Sequence, residues 1–193
     1  MKIYKLWPGD VPLGLVARTN EEQRRINNMM GSPVGDNWTT PVLKIARYAS
    51  TSHDYSLRDI ELWPTGEPML NQKSLSYLRN ILDPWIELLP AVAPDGTERY
   101  LCNITQKMDV LDIEKSHIIK RPSGSIQAIT KICFREELLT NISLFRIPQR
   151  PITTYATDRF VERARSAKLT GLDFRSPDER DPRMAGPRGR LPG

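Results

Sequence analysis

Polar and apolar residues alternate from Lys2 to Trp7, and Pro8-Gly9 ends the run, which predicts a first strand. Thr19-Asn20-Glu21-Glu22 has the order of a capping box, in which the Thr19 hydroxyl takes the Glu22 amide and the Glu22 carboxylate reaches back. Ile26, Met29 and Met30 then share a helical face, and Gly31 with Pro33 stops it. Trp38 to Tyr48 reads as a strand, with Pro41 favouring a sheet edge. His53 to Trp63 leaves helix and strand open, and Pro64 to Pro68 reads as a turn. Leu75, Leu78, Leu82, Trp85 or Ile86, and Leu89 recur every three or four residues, which predicts an amphipathic helix interrupted at Pro84. Asp95-Gly96 marks a turn, and Arg99 to Thr105 and Ser116 to Lys120 read as strands. Ser123-Gly124 turns into Ile126 to Phe134, whose period-two face is expected to be Ile126, Ala128, Thr130 and Ile132. Glu136 to Thr140 fits a single helical turn.

The last ordered unit is the most legible. Leu144 to Ile147 is a short strand stopped by Pro148, and Thr153 to Ala156 is a second extended piece. Thr157 or Asp158 caps a helix, with a negative charge at its positive end. Phe160, Ala164 and Ala167, with Val161 beside them, form its inward stripe; Lys168 lies in its last turn and Gly171 suits a left-handed stop. Leu172-Asp173-Phe174 resumes as a strand. The expected class is α+β: a mixed or antiparallel sheet with a few helices, arranged as two lobes with a disordered C-terminal tail. The expected divisions are a strand and helix lobe over 1–70, an α+β domain over 71–176, and a Pro/Gly/Arg-rich tail over 177–193.

Composition sharpens this picture in a few places. With 193 residues, 39% hydrophobic and 26% charged, the chain can bury a core of ordinary size. Sixteen prolines argue for turns and edge strands and against a helical bundle. No apolar run reaches the ~18 residues of a membrane span, and the N-terminus lacks an export-type apolar stretch, so a cytoplasmic location without membrane contact is expected. Cys102 and Cys133 then read as free thiols. The net charge of +5 is spread among acids rather than gathered in a stripe, so nucleic acid is not the expected partner.

Candidate chemistry is sparse. Asp109, Asp112, Glu114 and His117 contain the groups of a divalent-metal or acid/base site, and a metal-dependent hydrolase built on Asp109 to His117 is one alternative function. Their spacing matches no known motif, and a polar turn between strands explains them as well. Ser123-Gly124-Ser125 after Lys120-Arg121 lacks the glycine spacing and terminal Lys-Ser/Thr of a phosphate loop. Ser52, His53 and Asp54 hold triad residue types without a nucleophile elbow. A nucleic-acid module using the basic tail is a further alternative. The four tryptophans, Trp7, Trp38, Trp63 and Trp85, read as packing residues, with one or two available as anchors for a partner. No catalytic residue, metal or cofactor is assigned.

The stretch from Leu144 to Phe174 resembles the closing signature of a bacterial immunity-protein family, the one numbered eleven among the immunity proteins of polymorphic toxin systems and typified by a myxobacterial immunity protein. Phe145 and Arg146 stand at its phenylalanine-arginine strand, Asp158, Arg159 and Phe160 at its helix start, and Gly171, Leu172 and Phe174 at its returning strand. Upstream, Asp112 and Ser116 resemble the family's Asp-x-x-Ser turn, and Leu88-Leu89-Pro90 also resembles its pattern. The likeness covers Leu75 to Phe174. It implies a protein that binds and neutralises a cognate toxin in the cytosol, by covering or distorting the toxin's active site, with the toxin encoded by the adjacent gene. It carries over no catalytic residue. Because the chain is basic, either the toxin offers an acidic face or the contact is a local acidic patch, for which Asp109, Asp112 and Glu114 are the candidates.

Overall fold

The computed structural model describes residues 1–9, 13–47 and 56–179. Within them the chain is α+β, and its sheets are antiparallel. The strands are β1 (Ile3–Pro8), β2 (Leu13–Ala17), β3 (Leu43–Arg47), β4 (Ile60–Leu62), β5 (Pro68–Asn71), β6 (Ile86–Val92), β7 (Glu98–Ile104), β8 (His117–Lys120), β9 (Ile126–Lys131), β10 (Leu144–Ile147), β11 (Arg150–Thr157) and β12 (Leu172–Arg175). The helices are α1 (Asn20–Met29), α2 (Gln72–Leu78) and α3 (Asp158–Ser166).

Two four-stranded sheets form the frame, in the orders β10-β11-β1-β12 and β4-β5-β7-β6. The first strand of the chain is thus inserted between two of the last, and β5, from residues 1–70 in part, pairs with β7. Two ribbons, β2-β3 and β8-β9, complete the set.

Each four-stranded sheet contributes buried side chains to a core on each of its two faces, because successive side chains leave a strand in opposite directions. Leu70, Ile86 and Cys102 enter one core with Leu6, Leu144, Ala156 and the apolar stripes of α2 and α3. Their neighbours Met69, Leu89 and Leu101 enter a second core with Leu15, Leu43 and the Ile26–Met29 face of α1. In the other sheet Leu144 and Ala156 face the first core, while Phe145, Ile147 and Tyr155 face a third, closed by Ile129, Ile132 and Leu139.

That two-sided burial corrects the expected long helix. α2 ends at Leu78, and a 3-10 turn covers Arg79–Ile81. Residues 86–92 are a strand paired along its whole length with β7. Ile86 and Leu89 are both buried, but on opposite faces, so their three-residue spacing imitated a helix. Pro90 is tolerated because β6 is an edge strand, where a missing amide breaks no ladder. The inward face of β9 also differs from expectation. Ile129, not Ala128 or Thr130, is buried, because register shifts in the β8-β9 ladder break simple alternation. Trp38 precedes its strand rather than starting it; its ring nitrogen donates to Pro90 O at 2.8 Å.

The helix termini follow the local signals in part. Thr19 caps α1 in a complete capping box. The left-handed residue that ends α3 is Lys168 (φ 50°), not Gly171. Gly171 serves a close approach instead: it has φ 109°, and a Cβ there would lie 1.8 Å from Ile60 O. Only glycine lets the start of β12 cross β4 at that distance.

Candidate partner-binding surface

The closing motif is mostly scaffold. Phe145 and Tyr155 stack at 5.5 Å, and the Phe134 ring meets both edge-on at 5.4 and 5.1 Å. Phe160 is fully buried under α3, and Phe174 lies edge-on to both Phe160 and Tyr4. Leu172 packs against the same core. Arg146 sits where the β10-β11 register shifts, and its guanidinium is wholly buried. Nη1 donates to Glu67 at 2.9 Å, Nη2 to Thr65 O at 2.8 Å, and Nε to Thr154 Oγ1 at 3.1 Å. It therefore clasps the turn between β4 and β5 to the β10-β11 hairpin. Asp158 joins the start of β1 to α3, accepting from the amides of Lys2 at 3.2 Å and Arg159 at 3.0 Å. The hydroxyl of Thr157, at the N-cap, donates to Ile142 O.

Two further carboxylates tie distant segments together. Asp83 is buried and accepts from the Ser143 amide and hydroxyl and the Leu144 amide at 2.6 to 3.2 Å. Asp59 accepts from Lys73 at 2.9 Å, Thr170 N at 3.0 Å, Thr170 Oγ1 at 3.1 Å and Asn71 Nδ2 at 3.2 Å. Sequence reasoning missed Glu67, Asp83 and Asp59, since each finds its main partners far along the chain.

The acidic segment is built as a turn between β7 and β8. Among the described residues no three His, Cys, Asp or Glu side chains converge on an ion-sized position. Asp112 caps the turn that follows it: it accepts from the Lys115 amide at 3.0 Å and pairs with the Lys115 ammonium at 3.1 Å. The amide and then the ammonium hold its carboxyl below the ordinary value, and the carboxylate in turn pushes the Lys115 ammonium up. Ser116 closes the turn through its hydroxyl and the Cys133 amide at 3.0 Å. Asp109 is exposed and lies 3.9 Å from Arg135. Glu114 is exposed. His117 meets the Thr130 hydroxyl at 2.5 Å across the ribbon. As a partner surface, this segment thus offers Glu114 and two carboxylates that already have cations beside them. Ser123-Gly124-Ser125 is the tip of the β8-β9 hairpin, closed by Arg121 and Ser125 at 2.8 Å. Ser52, His53 and Asp54 lie outside the described residues.

A different surface gathers exposed basic side chains, of which Arg159, Arg163 and Arg165 form no ion pair among the described residues. α2 and α3 pack side by side. The exposed positions of 72–81 include Lys73 and Arg79 and no acid. Those of 158–168 include Arg159, Arg163, Arg165 and Lys168 against Glu162, with Asp158 half-buried at the start. Lys73 pairs with Asp59. Arg163 instead donates Nε to Tyr77 O at 3.0 Å, Arg159 donates to Asn141 O, and Arg165 lies over the Tyr4 and Phe174 rings at 5.6 and 5.5 Å. Carbonyls and aromatic faces orient a guanidinium without cancelling its charge. Tyr77 is 44% exposed beside this strip.

The architecture is an antiparallel α+β chain whose most legible motif is internal scaffold. Residues 91–178 match the family model described as Immunity protein family (Imm11), the family that the closing motif resembles. The matched segment runs from β6 past β12 and contains every residue of that motif. No match to a curated protein was found. Among the described residues, no helix is long and apolar enough to cross a membrane.

Proposed function

We propose that this chain is an immunity protein that acts by binding rather than by catalysis, neutralising a cognate bacterial toxin in the cytosol by covering or distorting its active site. The observation that carries this reading is the match of residues 91–178 to the immunity protein family. The fold is consistent with the role. An inhibitor needs a rigid frame that presents a preformed surface, because a preordered surface loses little entropy on binding. The clasp of Arg146 on Glu67 and the three cores supply such a frame.

The partner is the toxin domain encoded by the adjacent gene. Producing that domain in a bacterial host with and without this chain tests the reading. Growth is rescued only when the chain is present. Undiminished killing, with both proteins detected in the soluble fraction, counts against it.

A further inference from the structure

We infer that the exposed face shared by α2 and α3, centred on Tyr77, Arg159 and Arg163, is the surface that grips the toxin, and that it takes an acidic face of that protein. The inference rests on the immunity reading and adds the place and chemistry of contact.

Arg159 and Arg163 lie one turn apart on α3, so their side chains leave the same face. Each is held in place by a backbone carbonyl from another part of the fold, Asn141 O for Arg159 and Tyr77 O for Arg163. Neither forms an ion pair among the described residues. A solvated basic face would leave such side chains loose or pair them with nearby acids. Here they are fixed with their charge intact, so less conformational freedom is lost when a carboxylate arrives.

Helix stability does not account for Arg159. It occupies the first turn of α3, where the helix dipole is positive and an acid is favoured. Arg163, near the C-terminal end, does suit the dipole. Tyr77, whose backbone carbonyl holds Arg163, adds an exposed aromatic side chain on α2, and Arg79 follows it on the same segment. Tyrosine and arginine are enriched at the energetic centres of protein interfaces, where lysine is depleted. That composition matches the centre of a protein interface. It also answers the problem of a basic inhibitor: the complementary charge belongs on the partner.

The test measures binding of the full chain to the purified toxin domain of the adjacent gene by titration calorimetry, at low and high sodium chloride. The expected results are roughly 100-fold weaker binding for Arg159→Glu/Arg163→Glu and roughly tenfold weaker for Tyr77→Ala. Arg159→Lys/Arg163→Lys retains much of the affinity. Wild-type binding weakens with salt, and the double-Glu variant loses most of that dependence. Circular dichroism and melting confirm that each variant is folded, and single Arg159→Ala and Arg163→Ala substitutions replace the double-Glu variant if it is not. Unchanged affinity in the arginine and tyrosine variants overturns the surface while the immunity reading stands. So does loss of binding on Asp109→Lys/Glu114→Lys with the arginine variants unaffected. Salt-sensitive capture of a duplex oligonucleotide that the arginine variants lose, with toxin binding intact, overturns it as well. A wild-type chain that neither binds nor protects overturns both inferences together.

Discussion

The Arg146 guanidinium and the Glu67 carboxylate meet at 2.9 Å with neither side chain exposed to solvent. The residues are far apart in the chain, and their pair joins the turn after β4 to the bulged strand β10. Removing one partner strands a buried charge, so Glu67→Gln or Arg146→Met is expected to cost about 3–5 kcal/mol. Replacing both, as Glu67→Leu/Arg146→Met, costs less than the sum of the single changes. Urea unfolding of the four proteins in a double-mutant cycle measures the difference.

Gly171→Ala tests the close approach of β12 to β4. The new Cβ would meet Ile60 O at 1.8 Å on a backbone with φ 109°, so the strand must shift, and a loss above about 3 kcal/mol is expected. Gly96→Ala is the control. It also has positive φ, but open space around the Cβ position, and should cost about 1 kcal/mol. Equal losses in thermal or urea unfolding would show that φ alone matters.

Asp59 sets an acid limit on stability. Burial raises its carboxyl, but hydrogen bonds from Lys73, Thr170 and Asn71 outweigh that and hold it below the ordinary value of 3.8. A carboxyl lowered in the folded state contributes stability that is complete above its unfolded pKa and is lost as pH falls through the folded one. Urea midpoints should therefore drop below about pH 4, and Asp59→Asn should flatten that acid limb while lowering stability at neutral pH. An acid limb as steep as that of the wild type would contradict this role.

The two thiols should differ in reactivity. Cys102 is fully buried, and burial pushes its thiol up to about 12, so it presents almost no thiolate at neutral pH. Cys133 is half-buried, with its sulfur 3.3 Å from Lys115 O. Iodoacetamide followed by mass spectrometry should label Cys133 well before Cys102 in the native protein. Equal labelling would mean that the core around Cys102 opens readily.

What could be read from the chain depended on how local each signal was. The Thr19–Glu22 box and the Asp95-Gly96 turn are fixed by residues within a few positions of one another, and they form as expected; α3 starts where expected, at Asp158, but without a side-chain cap, because the Thr157 hydroxyl is bound to Ile142 O instead. The segment after Leu78 could not be read that way. Ile86 and Leu89 fit a helical spacing until β7 is known to lie beside them. The acidic segment was visible as a cluster of carboxylates, but its pairing with Arg135 and Lys115 depends on the turn and on the segment that follows β9. The α2–α3 face was invisible for a stronger reason. Tyr77 and Arg163 become neighbours only through packing of the two helices.

The proposed neutralisation of a toxin by binding requires a stable complex of the two proteins. Its most direct test is size-exclusion chromatography of the purified chain with the catalytically inactivated toxin domain of the adjacent gene, read by light scattering. One peak with the summed mass of both proteins, stable on dilution, is expected, with loss of the active toxin's activity as that complex forms. Two separate peaks, with the active toxin uninhibited by excess of the chain, would contradict it.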